Sequence, residues 1–228
     1  MEGKLKNIDL VEKLKEYTKK LMHGPEHAEY AELQLTWNQK ILEETIEYIL
    51  KPDGNAIGIG SFQGAVEMAL SNFYKNVYCV DHQNFLPKWK PDNILFHKTN
   101  IDSGNWSLPE VHFEICYFVE VIEHLLWSPL PLLKWIHSHC DRLVVSTPDD
   151  FEWPDVENYP WTRYQHFSAI PSAVPDSVSN PNPMFHCKQY GQSEFIELLN
   201  FANFRVEKFF RVGEGSHQMV AVCTPRQN

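Results

Sequence analysis

Residues 56–64 read AIGIGSFQG, and apolar positions at helical spacing follow at Ala65, Val66, Met68, Ala69 and Leu70. A buried strand that runs into a glycine-rich turn and then a helix is an arrangement that binds nucleosides and dinucleotides. Glycine lets the backbone approach a ligand closely, and the helix start offers unpaired N–H groups. The glycines at 58, 60 and 64 spell GxGxxxG, longer than the dinucleotide fingerprint GxGxxG, which weighs against a nicotinamide cofactor. The next apolar run, NVYCVD, ends in Asp81. A carboxylate at that point can accept hydrogen bonds from both hydroxyls of a bound ribose. On these residues alone, a nicotinamide dinucleotide and S-adenosylmethionine both remain open.

Outward from this stretch, short apolar runs alternate with helical patterns. ILFHKTN, FEICYFVEV and RLVVST read as further strands, and HLLWSPLPLLKWIHSHC between the last two reads as mostly helix. Strands separated by helices imply βαβ units and a parallel sheet covered on both faces. Near the C-terminus a helix over SEFIELLNFA precedes two strands, FRVEKFFRV and HQMVAVCTP, joined by GEGS. That hairpin makes the last strand antiparallel. The expected fold is α/β: a doubly wound, seven-stranded, mostly parallel sheet with an antiparallel last strand, preceded by N-terminal helices. One helix is read over 8–22 and a longer one over 31–50, ended by Pro52 and Gly54. Residues 1–54 are taken as a helical extension and 55–228 as the main domain. Within it, 148–190 carries seven prolines and many aromatics in no regular period, the pattern of a lid.

Composition narrows the class. With 228 residues, 43% of them hydrophobic, the chain can bury a core without disulfides. Its five cysteines are scattered, with no CxxC pair, and read as reduced thiols of a cytoplasmic protein. No apolar run is long enough for a membrane span. The net charge of −10 disfavours nucleic acid as a partner. The N-terminal lysines are interleaved with Glu2, Asp9, Glu12 and Glu16, as on a solvated helix face.

From residue 55 onward the chain resembles the seven-stranded class I S-adenosylmethionine-dependent methyltransferases. AIGIGSFQG resembles their first motif, commonly two hydrophobic residues, an acid, and then glycines at alternate positions. VYCVD, HKTNID, EICYFVEVIEHL, RLVVSTPDD and MFHCKQYGQSEFIELLNFANF are similar to later motifs, in the right order. The resemblance implies S-adenosyl-L-methionine as cofactor, with contacts from Gly58, Gly60, Ser61, Asp81 and the Asn100, Ile101, Asp102 neighbourhood. The chain departs from the motif where Gly58 stands at the acid position and Phe62 at a usual glycine. Losing one charge-assisted hydrogen bond to the cofactor's ammonium costs about 1.5–3 kcal/mol, so binding is expected to be weakened, shifted to another acid, or lost.

A second cluster lies in FVEVIEHL. Glu120, Glu123 and His124 are spaced i, i+3, i+4 and share one face if helical. His186 follows the lid. Three readings stay open. The cluster supports the site structurally; or His124 or His186 acts as general base or orients the substrate; or the four residues bind a metal, as in the small-RNA 3′-end ribose 2′-O-methyltransferases they resemble. The reading adopted is metal-free, with His124 and His186 as catalytic candidates. Asp149 and Asp150 are read as a solvated turn. The expected activity is methyl transfer to a small-molecule or glycan-like acceptor, at oxygen. The alternatives are the metal-dependent RNA-end enzyme and a non-catalytic binding protein on the same fold.

Overall fold

The computed structural model describes residues 2–21, 28–48, 54–103, 105–125, 127–149, 190–212 and 218–227. Residues 150–189 of the proposed lid, with His186, Cys187 and Asp150, and the GEGS turn lie outside the described residues.

Two units are distinguished, residues 1–99 with 108–117, and residues 100–107 with 118–228. In the first, α1 (Glu2–Leu21) buries Leu10, Val11, Leu14 and Thr18, one stripe at helical spacing. Its opposite face pairs Lys13 and Lys20 with Glu16 at 2.9 and 2.7 Å, and Lys15 with Glu12 at 3.2 Å. These are the interleaved charges of a solvated face. Helix α2 (Ala28–Thr45) starts earlier than its apolar pattern indicates and ends in a 3-10 turn at Ile46–Tyr48, short of Pro52. Strands β1 (Asn55–Ile59), β2 (Asn76–Asp81) and β3 (Ile94–Lys98) pair in parallel, with Gly58 opposite Cys79. Between β1 and β2 runs the short helix α3 (Ala65–Leu70).

The second unit holds most of the later elements. Strand β4 (Ile115–Val119) starts within the first unit and ends in the second, and a 3-10 turn at Ile122–His124 follows it. Helix α4 begins only at Leu130 and runs to His139. The stretch HLLWSPLPLLKWIHSHC is thus mostly helix, as expected, with the helix toward its end. Pro129 and Pro131 lack the N–H that an earlier start would require of them, and both fit a first turn. Strand β5 (Leu143–Pro148), helix α5 (Gln192–Phe201) and strands β6 (Phe204–Val212) and β7 (Gln218–Pro225) complete it. β7 runs antiparallel to both β5 and β6.

The sheet order is β3-β2-β1-β4-β5-β7-β6, which is the expected seven-stranded sheet with its one reversed strand. The chain moves outward from β1 to β3 and returns to β4 on the other side of β1. In open α/β sheets, ligands bind at the carboxyl end of the strand where that reversal occurs. β1 ends there in its glycine turn. Cys79, Cys116, Cys140 and Cys223 are buried, as small core side chains are expected to be. No helix among the described residues is long and apolar enough to cross a membrane.

Candidate cofactor site

The glycine turn is built by hydrogen bonds to the neighbouring strand. The amides of Gly60 and Ser61 both donate to the carbonyl of Val80, at 2.8 and 3.2 Å. The Gly64 amide donates to Ser61, and the Ser61 hydroxyl to the Gly58 carbonyl at 2.8 Å. Gly60 and Gly64 both have φ 73°, a left-handed backbone open to glycine. At Gly64 a Cβ would also stand 2.5 Å from a Leu86 methyl, which would have to shift. Phe62, at the motif's usual glycine, adopts φ 46°. The conformation is kept although the side chain disfavours it. Its amide donates to Oδ2 of Asp81 at 3.0 Å, and its ring packs on Phe85 with centroids 5.1 Å apart.

Asp81 sits at the end of β2, as its place after NVYCV implies. Its carboxylate is almost covered, with the side chain 10% exposed. Besides Phe62, it accepts from the His82 amide at 2.7 Å. Oδ1 also meets Nδ1 of His82 at 2.7 Å, whereas Oδ2, bound to the Phe62 amide, keeps a lone pair for a further hydrogen bond. Gly58, Gly60, Ser61 and Asp81 are thus brought together in one unit.

The same place holds a residue that sequence reasoning missed. Glu67, in α3, is buried at 5% exposure. Its carboxyl is pushed up to about 7, chiefly by burial, with nearby Asp81 adding to the rise. Its own backbone and the Ser61 hydroxyl offset part of that. Ser61 has one proton for two acceptors, Glu67 and the Gly58 carbonyl, and the 2.8 Å contact gives it to the carbonyl. A Cβ built on Gly58 would fall on Oε1 of Glu67, with Cδ and Cγ at 2.6 and 2.8 Å. The signal was present: the motif's acid is missing at 58, and an acid lies one short step beyond the last glycine.

In the second unit, Asn100, Ile101 and Asp102 form a turn. The Asp102 amide donates to Oδ1 of Asn100, and Oδ1 of Asp102 accepts from the Trp127 amide at 2.9 Å. Glu120 ends β4 with φ 56°. Its amide donates to Ser146 Oγ at 3.0 Å, and the same hydroxyl donates back to Oε1 at 2.6 Å. Gln218 donates to Oε2 at 2.7 Å. Burial, and then the nearby Glu123, push the Glu120 carboxyl well above its ordinary range. Sequence reasoning gave no sign of Ser146 or Gln218, because their approach depends on the pairing of β5 with β7.

Glu123 and His124 lie in the single 3-10 turn, so the expected shared helical face with Glu120 does not form. The left-handed residue at 120 ends the strand before any helix starts. Glu123 is 1% exposed and His124 27%, with Nε2 of the histidine 3.7 Å from Oε1 of Glu123. Among the described residues, no three His, Cys, Asp or Glu side chains are grouped to hold a metal ion. Asp149 corrects the reading of a solvated turn: it is 2% exposed and ion-paired with Arg211. The buried end of β5 draws in a carboxylate because β6 supplies a guanidinium to meet it.

No family model and no curated protein matches the sequence. Solved structures match the fold. Magnesium protoporphyrin IX methyltransferase from Synechocystis, with bound S-adenosylhomocysteine, aligns at TM-score 0.59 and 9% identity over 85% of each chain. A methyltransferase dependent on S-adenosylmethionine from Clostridium acetobutylicum aligns at TM-score 0.60 and 11% identity, over 92% of this chain and 99% of that one. The 1,6-didemethyltoxoflavin-N1-methyltransferase of Burkholderia thailandensis aligns at 0.59 and 15%, over 83% and 78%. At such identities the likeness is one of fold, and the fold is that of the class I methyltransferases.

Proposed function

We propose that this chain is a methyltransferase that binds S-adenosylmethionine and methylates a hydroxyl of a small-molecule or glycan-like acceptor. One observation carries the reading. The glycine turn after β1 is tied through the Phe62 amide to a nearly covered carboxylate, Asp81, at the end of β2. That pairing forms a cradle for a nucleoside, in a fold whose aligned structures include two crystallised with S-adenosylhomocysteine. Gly58 and Gly60 carry the backbone of the turn past the ligand, Ser61 shapes the turn, and Asp81 accepts from the ribose hydroxyls. The Asn100–Asp102 turn is proposed for the adenine side on the strength of its motif.

Bound S-adenosylmethionine supplies an electrophilic methyl group on a sulfonium sulfur. The protein's work is to orient the acceptor in line and exclude water. As the acceptor oxygen bonds to the methyl carbon, the S–C bond breaks and the hydroxyl proton leaves. We assign that proton to a histidine, His124 or His186, since imidazole titrates near neutral pH. The scattered, buried cysteines among the described residues fit a cytoplasmic, reducing setting.

Titration calorimetry with S-adenosylhomocysteine tests the first half of the reading. Release of S-adenosylhomocysteine from S-adenosylmethionine over a panel of hydroxyl compounds tests the second. A chain that binds neither nucleoside is a non-catalytic protein on this fold, and the enzyme reading is then abandoned.

A further inference from the structure

Position 58 has no side chain, and the volume a side chain would take is filled from elsewhere. A Cβ on Gly58 would coincide with Oε1 of Glu67, and one on Gly64 would lie 3.9 Å from Oε2. The carboxylate therefore reaches beneath the turn from its first glycine toward its last. It comes from the opening turn of α3, whose Met68, Ala69 and Leu70 are also buried. Glu67 thus belongs to the packed face of the helix and not to its solvent face.

A buried carboxylate is retained at a cost unless something meets its charge. Among the described residues, the titratable groups that face it are Asp81, Cys79 and Tyr117, all of them acids. None can neutralise it as a cation, and Asp81 opposes its ionisation. The turn above is the cradle assigned to the methyl donor. That donor carries an α-ammonium group at the end opposite its ribose.

We propose that Glu67 receives the ammonium of the methyl donor, taking by way of α3 the place that an acid at position 58 would hold. Gly58 is then required as glycine because any side chain there would displace the carboxylate. The inference rests on the proposed binding of S-adenosylmethionine, and it names the residue that reads the amino-acid end of the ligand.

The test is calorimetry on the full chain with two probes. S-adenosylhomocysteine carries the ammonium; 5′-methylthioadenosine keeps the nucleoside and lacks the amino acid. Glu67→Gln is expected to weaken the first by about ten- to hundredfold, the loss of one charge-assisted hydrogen bond, and to leave the second within about threefold. Gly58→Asp combined with Glu67→Ala moves the carboxylate to the strand and is expected to recover most of the lost affinity for S-adenosylhomocysteine. This double variant also carries the test should circular dichroism show Glu67→Gln unfolded. Equal losses for both probes, no loss for either, or no recovery in the double variant would reduce Glu67 to a structural plug and overturn the proposal. Wild-type protein that binds neither probe overturns the parent reading along with it. Wild-type protein that binds both, with Glu67→Gln unchanged, overturns this inference alone.

Discussion

Ser146 holds Glu120 at two points. Its hydroxyl accepts from the Glu120 amide at 3.0 Å and donates to the Glu120 carboxylate at 2.6 Å. One side chain thereby fixes both the left-handed backbone at the end of β4 and the direction of a buried acid. Ser146→Ala removes both bonds and leaves Gln218 as the remaining described donor to that carboxylate. The expected loss is about 1–3 kcal/mol, because a buried carboxyl group is left short of a partner. Chemical denaturation of the two proteins at pH 7 measures it. A variant as stable as the wild type would show that the clasp contributes nothing. Burial already raises the Glu120 carboxyl, and the Ser146 donation works against that rise. Losing the donation is therefore expected to raise it further, so the deficit of the variant should shrink as pH falls and the acid becomes protonated.

The buried pair Thr45 and Tyr117 predicts an asymmetry. The Thr45 hydroxyl donates to the Ile41 carbonyl at 2.8 Å, so across the 3.1 Å contact with Tyr117 it is the phenol that donates. Tyr117→Phe removes a donor and leaves Thr45 with its own bond made. Thr45→Val strands a buried phenol. The first substitution is expected to cost about 1 kcal/mol and the second up to about 3 kcal/mol. Urea denaturation of both variants ranks them, and the reverse order would show that the phenol finds another acceptor.

Most of the strand pattern was legible because each strand is a short, largely apolar run closed by a polar or glycine stop. NVYCVD and FRVEKFFRV match β2 and β6 residue for residue. The glycine turn and Asp81 were legible for the same reason: their chemistry is local to one strand–turn–helix unit. What escaped depends on tertiary placement. Glu67 looks like a solvent-facing helix position until the turn folds over it. Asp149 beside Asp150 looks solvated until Arg211 of the next strand comes alongside.

Asp81 is expected to hold both the turn and the ligand. The sequence alone presents it as a strand-end acid whose removal spares the fold. With Phe62 and His82 amides bound to it, Asp81→Ala also loosens a backbone kept at positive φ. The variant is expected to lose about 1–3 kcal/mol of stability and to bind S-adenosylhomocysteine about a hundredfold more weakly. Asp81→Asn keeps one carbonyl acceptor and should fall between. Thermal unfolding followed by circular dichroism reads the first effect, and calorimetry the second. An Asp81→Ala protein with wild-type affinity would remove Asp81 from the ribose contact.

Glu67 ties the stability of the fold to pH in a direction opposite to that of a salt-bridged acid. Its carboxyl titrates near 7 in the folded chain, against an ordinary value of 4.5. The folded state therefore holds a proton that the unfolded state has released between those two values. The stability linked to that proton is fully present below pH 4.5 and is lost as pH rises toward 7. A shift of this size corresponds to about 3 kcal/mol across the window. Cys79, Asp81 and Tyr117 face the same carboxyl, and their negative charges, where present, would push it in the same direction. Glu67→Gln stays neutral throughout, so the difference in stability between variant and wild type should swing in favour of the variant by up to that amount between pH 4.5 and 7.5. Glu120 shifts in the same sense, but it is common to both proteins and cancels in the difference. Ligand binding adds a second readout. An ammonium brought to Glu67 favours its ionised form, so binding of S-adenosylhomocysteine at pH 6.5 should release a proton, and affinity should rise with pH through 7. Calorimetry in two buffers of different ionisation enthalpy detects that proton in the wild type and should find it missing in Glu67→Gln. A stability difference that stays flat with pH would place the Glu67 titration outside this window, and proton release that survives the substitution would assign it to another group.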